Sequence, residues 1–186
     1  RFKIISISAT AFIELFRNTP FMIQVFLLFY VLPFYGIRIP ANIVGIIGLA
    51  LFGSVYYAEI IRAGIDAIPR GQLESARSIG MSHWQSMTNI VLPQTMRIIL
   101  PPIGNQTLSL VKESSILSTI TVQELTMSAL IVQGQTFRPF EVFIVITLLY
   151  WGVNELIATG LRIYERRLKR QSRLVLAGTS SNEKAS

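Results

Sequence analysis

Two long uncharged runs lie almost back to back in the first third of the chain. Residues 18–37 and 39–58 contain no Asp, Glu, Lys or Arg. A helix rises about 1.5 Å per residue, so each run is long enough to cross the roughly 30 Å hydrocarbon core of a bilayer. Pro33, Gly36 and Pro40 lie between the apolar cores, where helix-breaking residues are expected. The pattern favours a membrane hairpin over two buried helices of a water-soluble core.

Further apolar stretches occupy the second half of the chain. We predict a span over 99–117 that opens at Pro101-Pro102, a shorter helix over 122–134 and a last span over 140–162. The basic and then Ser-rich tail, 171–186, is predicted to be cytoplasmic and disordered. The fold class is therefore all-α, a polytopic transmembrane helical bundle with four spans.

The segment between the second and third spans is polar. Residues 59–97 regain charges and turn-forming residues. We predict a short helix over 72–79 that ends at Gly80, because glycine adopts the left-handed conformation of a helix C-cap. The sequence Ser82-His83-Trp84-Gln85 fits a capping box, which begins a second helix. Pro93 is expected to end that helix before the next span.

Composition and charge placement support the membrane interpretation. Charged residues make up 15% of the 186 residues, mean hydropathy is +0.52 and there is no cysteine, which excludes a disulfide scaffold and a cysteine-based site. With the polar segment placed inside, 14 of the 17 Lys and Arg are cytoplasmic, Arg38 and Arg138 are outside and Lys112 is in a span. This distribution follows the positive-inside rule, so the net charge of +7 requires no nucleic acid.

One motif in the polar segment has a fixed register. Glu74-Ser75-Ala76 is followed after three residues by Gly80 and after nine more by Ile90-Val91-Leu92-Pro93. This resembles the E-A-A, three residues, G, nine residues, I-x-L-P loop of the membrane subunits of bacterial ABC importers. Ser75 stands where that family usually has alanine, and the other spacings match.

Other segments extend the resemblance to the polar amino acid permeases of this superfamily. They are Phe16-Arg17-Asn18-Thr19-Pro20, Tyr57-Ala58-Glu59-Ile60-Ile61-Arg62-Ala63-Gly64, Gly71-Gln72 and Lys112-Glu113-Ser114-Ser115. The likeness covers about residues 10–170. It implies a transmembrane domain over 1–170 with a coupling loop over 72–93. It also implies a five-span subunit, so we expect a further span upstream of Arg1.

The resemblance also implies function and partners. We expect a permease subunit, not an enzyme, in the bacterial inner membrane that forms the path for a polar amino acid, with no catalytic or metal-binding residue and no cofactor of its own. The expected partners are a second permease subunit, two ATPase subunits that bind ATP and Mg, and an extracytoplasmic solute-binding protein. The residues expected to couple to the ATPase are Glu74, Ser75, Ala76, Gly80, Met81, His83, Trp84, Ile90, Leu92 and Pro93. Glu74 is assigned either to the partner or to a backbone amide of its own helix.

A polar stripe marks the candidate substrate path. Asn105, Ser109, Lys112 and Glu113 follow an i, i+4, i+7, i+8 spacing on an otherwise apolar helix. A charge at mid-bilayer costs about 2.5–3.5 kcal/mol on insertion scales, so these charges are expected to face protein or water. They either line the path, together with Ser114 and Gln24, or form a structural network with neighbouring helices. For Gln24, a role in joining helices is favoured.

Three other functions are weighed against the importer subunit. A secondary transporter or channel explains the spans and the charges but not the loop motif. A membrane hydrolase with a Ser/Lys dyad is suggested by Ser109 and Ser115, each three residues from Lys112, but no hydrolase motif accompanies them. A helix-turn-helix protein over 72–93 conflicts with the flanking uncharged runs.

Overall fold

The computed structural model describes residues 2–183, and it describes side chains from Ile4 to Arg166. Every regular element in this part of the chain is helical. The elements are α1 (Phe2–Arg17), α2 (Phe21–Phe26, continued by a π-turn, Leu27–Val31, and a 3₁₀-turn, Leu32–Tyr35), α3 (Ala41–Asp66), α4 (Arg70–Ser78), α5 (His83–Ser86, followed by a π-turn, Met87–Val91), α6 (Leu92–Glu113, followed by a 3₁₀-turn, Ser114–Ile120), α7 (Leu125–Thr136) and α8 (Pro139–Glu183).

The membrane-length helices agree with the all-α prediction. Two single helices, Ala41–Asp66 and Pro139–Arg166, are long and apolar enough to cross a bilayer. Two bent pairs also pass when each pair is taken as one span, Ile4–Arg17 with Phe21–Tyr35 at 105° and His83–Ile120 with Leu125–Thr136 at 50°. The described residues therefore supply up to four spans. The disorder predicted for the tail at 171–186 stays a prediction, because this segment lies outside the residues whose side chains are described.

The prediction that Pro93 ends the second helix of the polar segment is wrong. Helix α6 begins at Leu92, and Pro93, Pro101 and Pro102 all lie within it. The amide of Leu92 bonds to the carbonyl of Met87, five residues back, so the backbone widens into a π-turn just before the proline. A widened turn accommodates a ring that has no amide hydrogen. The polar segment and the following helix are therefore joined without a break.

The chain divides into two compact units, and the first comprises residues 1–59 and 106–154. Its core consists of apolar side chains from α2, α3 and the 3₁₀-turn after α6, namely Phe21, Val25, Val44, Phe52, Leu117 and Ile120. The rings of Phe21 and Phe52 lie 4.9 Å apart. A Cβ atom added at Gly45 would lie 2.9 Å from Leu117 Cδ1, so glycine is what allows this close approach.

The second unit comprises residues 60–105 and 155–186 and contains the polar segment. Here α3 and α6 approach closely, because a Cβ atom added at Gly64 would lie 2.1 Å from Ile99 Cγ2. Ile68, Val91 and Thr95 are buried in the same unit. The Ile99 side chain thus packs directly on the backbone of Gly64 and holds α6 against the end of α3, and the polar segment connects these two packed helices.

Candidate functional site

The predicted turn at Gly80 is confirmed and forms a Schellman motif. Gly80 has a φ of +83°, in the left-handed region. Its amide donates to the carbonyl of Arg77 at 2.9 Å, and the amide of Met81 donates to the carbonyl of Ala76 at 3.1 Å. These bonds satisfy carbonyl groups at the end of α4 that would otherwise have no partner. The turn therefore depends on a backbone conformation that glycine adopts most readily.

The predicted capping box is confirmed at the start of α5. The Ser82 amide donates to Gln85 Oε1 at 2.8 Å, and the Gln85 amide donates to Ser82 Oγ at 3.3 Å. Ser86, which is fully buried, donates its hydroxyl to the Ser82 carbonyl at 3.0 Å. Helix α4, the Gly80 turn and α5 are thus connected by fixed hydrogen bonds at each junction. We call this segment, residues 70–86, the elbow.

The tip of the elbow presents large apolar side chains to the surface. Ile79 is 78% exposed and Trp84 is 74% exposed. His83 is also exposed, and Met81 between them is half-buried. Exposed apolar groups clustered at a turn are typical of a protein-binding surface. Sequence reasoning missed Ile79, although an apolar residue directly before a helix-ending glycine is a signal that could have identified it.

The remaining predicted coupling residues divide by exposure. Ala76 is 2% exposed, so its side chain is buried and adds nothing to the exposed surface of the elbow. Glu74 and Ser75 are exposed on α4. Among the described residues the Glu74 carboxylate has no hydrogen-bond or ion-pair partner, which gives no support to a role in capping its own helix. Further along, Ile90 is half-buried, and Leu92 and Pro93 are exposed.

The charged residues near the end of α6 have no partner in the described part of the chain. Lys112 is exposed and Glu113 is half-buried, and neither side chain makes a hydrogen bond or ion pair with a described residue. The structural network weighed above is therefore not formed within these residues. Asn105 is exposed and Ser109 half-buried, whereas Ser114 donates its hydroxyl to the Val111 carbonyl at 2.7 Å.

Gln24 joins helices, which is the role that the sequence favoured over path lining. Its side chain is buried, at 7% exposed. Its amide nitrogen lies 2.8 Å from the Phe16 carbonyl, 2.9 Å from Thr19 Oγ1 and 3.1 Å from the Thr19 carbonyl. These acceptors surround the break between α1 and α2. Gln24 therefore satisfies carbonyl groups at the end of α1 and fixes the bend.

A polar cluster around Glu124 was not predicted from the sequence. The Glu124 carboxylate accepts the amides of Thr126 at 2.7 Å and Met127 at 2.6 Å, which caps α7. The Tyr150 hydroxyl donates to the same carboxylate at 3.0 Å, and it lies 2.9 Å from Thr126 Oγ1. This cluster connects α7 to α8. An acidic residue directly before a helix is the local signal for the cap, but nothing local indicates Tyr150 as its partner.

Two sequence motifs meet at an ion pair within the first unit. Arg17, from the Phe16–Pro20 segment, lies 3.5 Å from Glu59, from the Tyr57–Gly64 segment. Both side chains are partly exposed, so the pair contributes little to stability by itself. The pair connects the end of α1 to α3, so it helps to set where these two helices lie.

The comparisons with known proteins agree with these features. The family described as "Binding-protein-dependent transport system inner membrane component" matches residues 1–170. The probable glutamine ABC transporter permease protein GlnM of Bacillus subtilis (strain 168) is 37% identical over 91% of this chain and 78% of its own length. The probable amino-acid ABC transporter permease protein YckA of the same organism is 38% identical over 86% of this chain and 70% of its own length.

Solved structures show the same fold. A crystal structure of an amino acid ABC transporter with histidines superposes with a TM-score of 0.84, with 41% identity over 89% of this chain and 77% of that chain. An inward-facing structure of the MetNI methionine ABC transporter has a TM-score of 0.71 at 19% identity, over 86% of this chain and 73% of that chain. At that identity the likeness concerns the fold alone.

Proposed function

Because this chain belongs to the family of binding-protein-dependent transport system inner membrane components, we propose that it forms the path for a polar amino acid in an ATP-driven importer and couples that path to a separate ATPase. The observation that carries the proposal is the elbow. It is a short, capped segment with an exposed apolar tip, and it is connected without a helix break to α6.

The elbow has the mechanical properties that coupling requires. ATP hydrolysis in a separate subunit has to displace the spans, and a flexible loop would absorb that displacement. Here the Schellman motif and the capping box fix the two sides of the turn. Ile79 and Trp84 offer an apolar contact, and the exposed Glu74 carboxylate on α4 offers a charge. The ATPase therefore pushes on a body that transmits movement to α6.

The unpartnered charges of α6 suit an amino acid substrate. An amino acid carries an ammonium and a carboxylate, which pair with an acidic and a basic side chain respectively. Glu113 and Lys112 supply these groups, and neither is neutralised by a described residue of this chain. Two such subunits, identical or related, enclose the path between them. The relatives include transport proteins named for glutamine, L-cystine and nopaline.

The complete importer requires other chains. The proposed assembly contains a second permease subunit, two ATP-binding subunits that hold ATP and Mg on the cytoplasmic side, and an extracytoplasmic solute-binding protein. The proposed location is the bacterial inner membrane. The charge distribution supports this orientation, because it places the elbow on the same side as most Lys and Arg residues.

Reconstitution tests the proposal against a secondary transporter or channel. The permease, its ATPase and the binding protein are placed in liposomes, and uptake of labelled amino acids is measured with ATP inside. We expect uptake to require hydrolysable ATP and the binding protein, and to persist when ion gradients are collapsed. Uptake driven by an ion gradient without ATP would refute the importer assignment.

Site-directed crosslinking tests the elbow directly. The chain contains no cysteine, so an Ile79→Cys variant carries a single thiol at the exposed tip. We expect it to crosslink to a cysteine placed in the ATPase surface and to react with a membrane-impermeant reagent only from the cytoplasmic side. Phe34→Cys, at an exposed position between α2 and α3, is the matched control and is expected to react from outside.

A further inference from the structure

A side-chain hydrogen bond joins the elbow to α6. It lies at the start of α4, the end of the elbow that is remote from the Gly80 turn. Gln94 Nε2 donates to Gln72 Oε1 across 22 residues of sequence. Both side chains are half-buried. Gln72 lies in the first turn of α4, and Gln94 lies in the first turn of α6, directly after Pro93. The contact therefore closes the loop that starts at α4, passes through the turn and α5, and returns along α6.

The orientation of the two amides follows from a third group. Gln94 Nε2 also donates to the Ile90 carbonyl at 2.9 Å. A carbonyl only accepts hydrogen bonds, so this bond sets which end of the Gln94 amide carries the nitrogen. Gln72 must then present its oxygen. The two residues are thus not equivalent, because Gln72 is required only as an acceptor and Gln94 is required as a donor.

The position of this pair has a mechanical consequence. The tip of the elbow is where a partner would push, and the hydrogen bonds at the Gly80 turn hold α4 to α5 without joining the first turn of α4 to α6. The contact between the first turn of α4 and α6 adds this connection. We propose that the Gln72–Gln94 hydrogen bond is a positioning contact that makes the elbow and α6 move as one body, so that ATP hydrolysis is converted into transport. This inference rests on the proposed function of the elbow.

Two matched charge substitutions test the proposal. Gln72→Glu keeps an acceptor facing Gln94 Nε2, whereas Gln94→Glu removes that donor and sets a carboxylate against the Ile90 carbonyl, which a turn of the Gln72 amide does not relieve. Both changes add one negative charge to the same pair of side chains. In reconstituted importer we expect Gln72→Glu to retain the wild-type ratio of transport to ATP hydrolysis, and Gln94→Glu to lower this ratio by about two- to tenfold, the range for one lost hydrogen bond. Equal ratios for the two variants would overturn the proposal.

Replacement of either glutamine by leucine removes the hydrogen bond between them. Gln72→Leu and Gln94→Leu are expected to lower the ratio, and the double variant to be no worse than the poorer single variant, because each change removes the same bond. Gln135→Leu is the control, since Gln135 is exposed and has no partner among the described residues. Additive losses in the double variant would count against a shared bond.

A second measurement does not depend on transport. Hydrogen exchange of the hydrogen-bonded amides of α4, from Gln72 onward, is expected to accelerate in Gln94→Leu and Gln72→Leu but not in Gln72→Glu. If the wild-type complex shows no ATP-dependent uptake, the proposed function fails while this exchange pattern still tests the contact. If uptake is ATP-dependent and neither exchange nor coupling changes in Gln94→Leu, the positioning role alone fails.

Discussion

Replacement of Gly80 by alanine measures the free-energy cost of the left-handed backbone conformation at the elbow turn. A Cβ atom added at Gly80 would meet no atom within 4 Å, so the substitution creates no clash. The φ of +83° nevertheless remains unfavourable for an L-residue, by about 1–2 kcal/mol. A change of that size corresponds to roughly a 5- to 30-fold shift in an equilibrium constant.

The equilibrium constant expected to change is the one for local opening of the turn. The amides of residues 80 and 81 donate the two Schellman bonds, and both are released when the turn opens. Hydrogen exchange measured by mass spectrometry on a peptide that covers residues 78–86 should accelerate about 5- to 30-fold in Gly80→Ala. Gly80→Asn should have a smaller effect, because asparagine tolerates the left-handed region better than alanine.

Gly71→Ala is the matched control for this experiment. A Cβ atom at Gly71 also meets nothing within 4 Å, but Gly71 lies in the first turn of α4 and is not among the residues with positive φ. Alanine there is expected to stabilise α4 by up to about 1 kcal/mol. If Gly80→Ala exchanged no faster than Gly71→Ala, the cost would not lie in the backbone of the turn, and the account of the elbow would be wrong.

Three further changes test other parts of the structure. Gly64→Ala should destabilise the protein by about 1–3 kcal/mol, because its methyl group would overlap Ile99. The expected result is a lower thermal midpoint in detergent than that of Gly134→Ala, where an added Cβ meets no atom within 4 Å. Glu124→Ala should cost about 1 kcal/mol through loss of the α7 cap, measured as faster exchange of the first α7 amides; unchanged exchange would refute the cap. Glu113→Gln should alter substrate affinity in uptake assays if Glu113 lines the path, whereas an unchanged substrate profile with a lower thermal midpoint would assign it a structural role.

The polar residues show where sequence reasoning reached its limit. The stripe that contains Lys112 and Glu113 was identified from helical spacing, since spacing alone determines which side chains share a helix face. Whether those charges are neutralised depends on what lies opposite them, and no spacing rule supplies that information. Gln24 illustrates the same point, because its partners are the carbonyl groups at the end of α1, which are free only because the chain bends at residues 18–20.

The clearest error among the sequence predictions concerns Pro93, and the structure shows its physical reason. Pro93 was expected to end a helix, because an isolated α-helix loses a hydrogen bond and gains a clash at an interior proline. In the structure a π-turn upstream accommodates the ring, and packing of α6 at Gly64 holds the helix beyond it. Tertiary contacts thus overcame a local preference.

The sequence by itself determined the apolar spans, the left-handed turn at Gly80 and the capping box at Ser82, because each depends on residues within a few positions of one another. Only the tertiary structure decided that Gln94 pairs with Gln72, that Tyr150 pairs with Glu124 and that α6 continues through Pro93. These features join groups that are distant along the chain or depend on what packs against them. The energy of such contacts exists only once the helices have assembled, so it leaves no local pattern in the sequence.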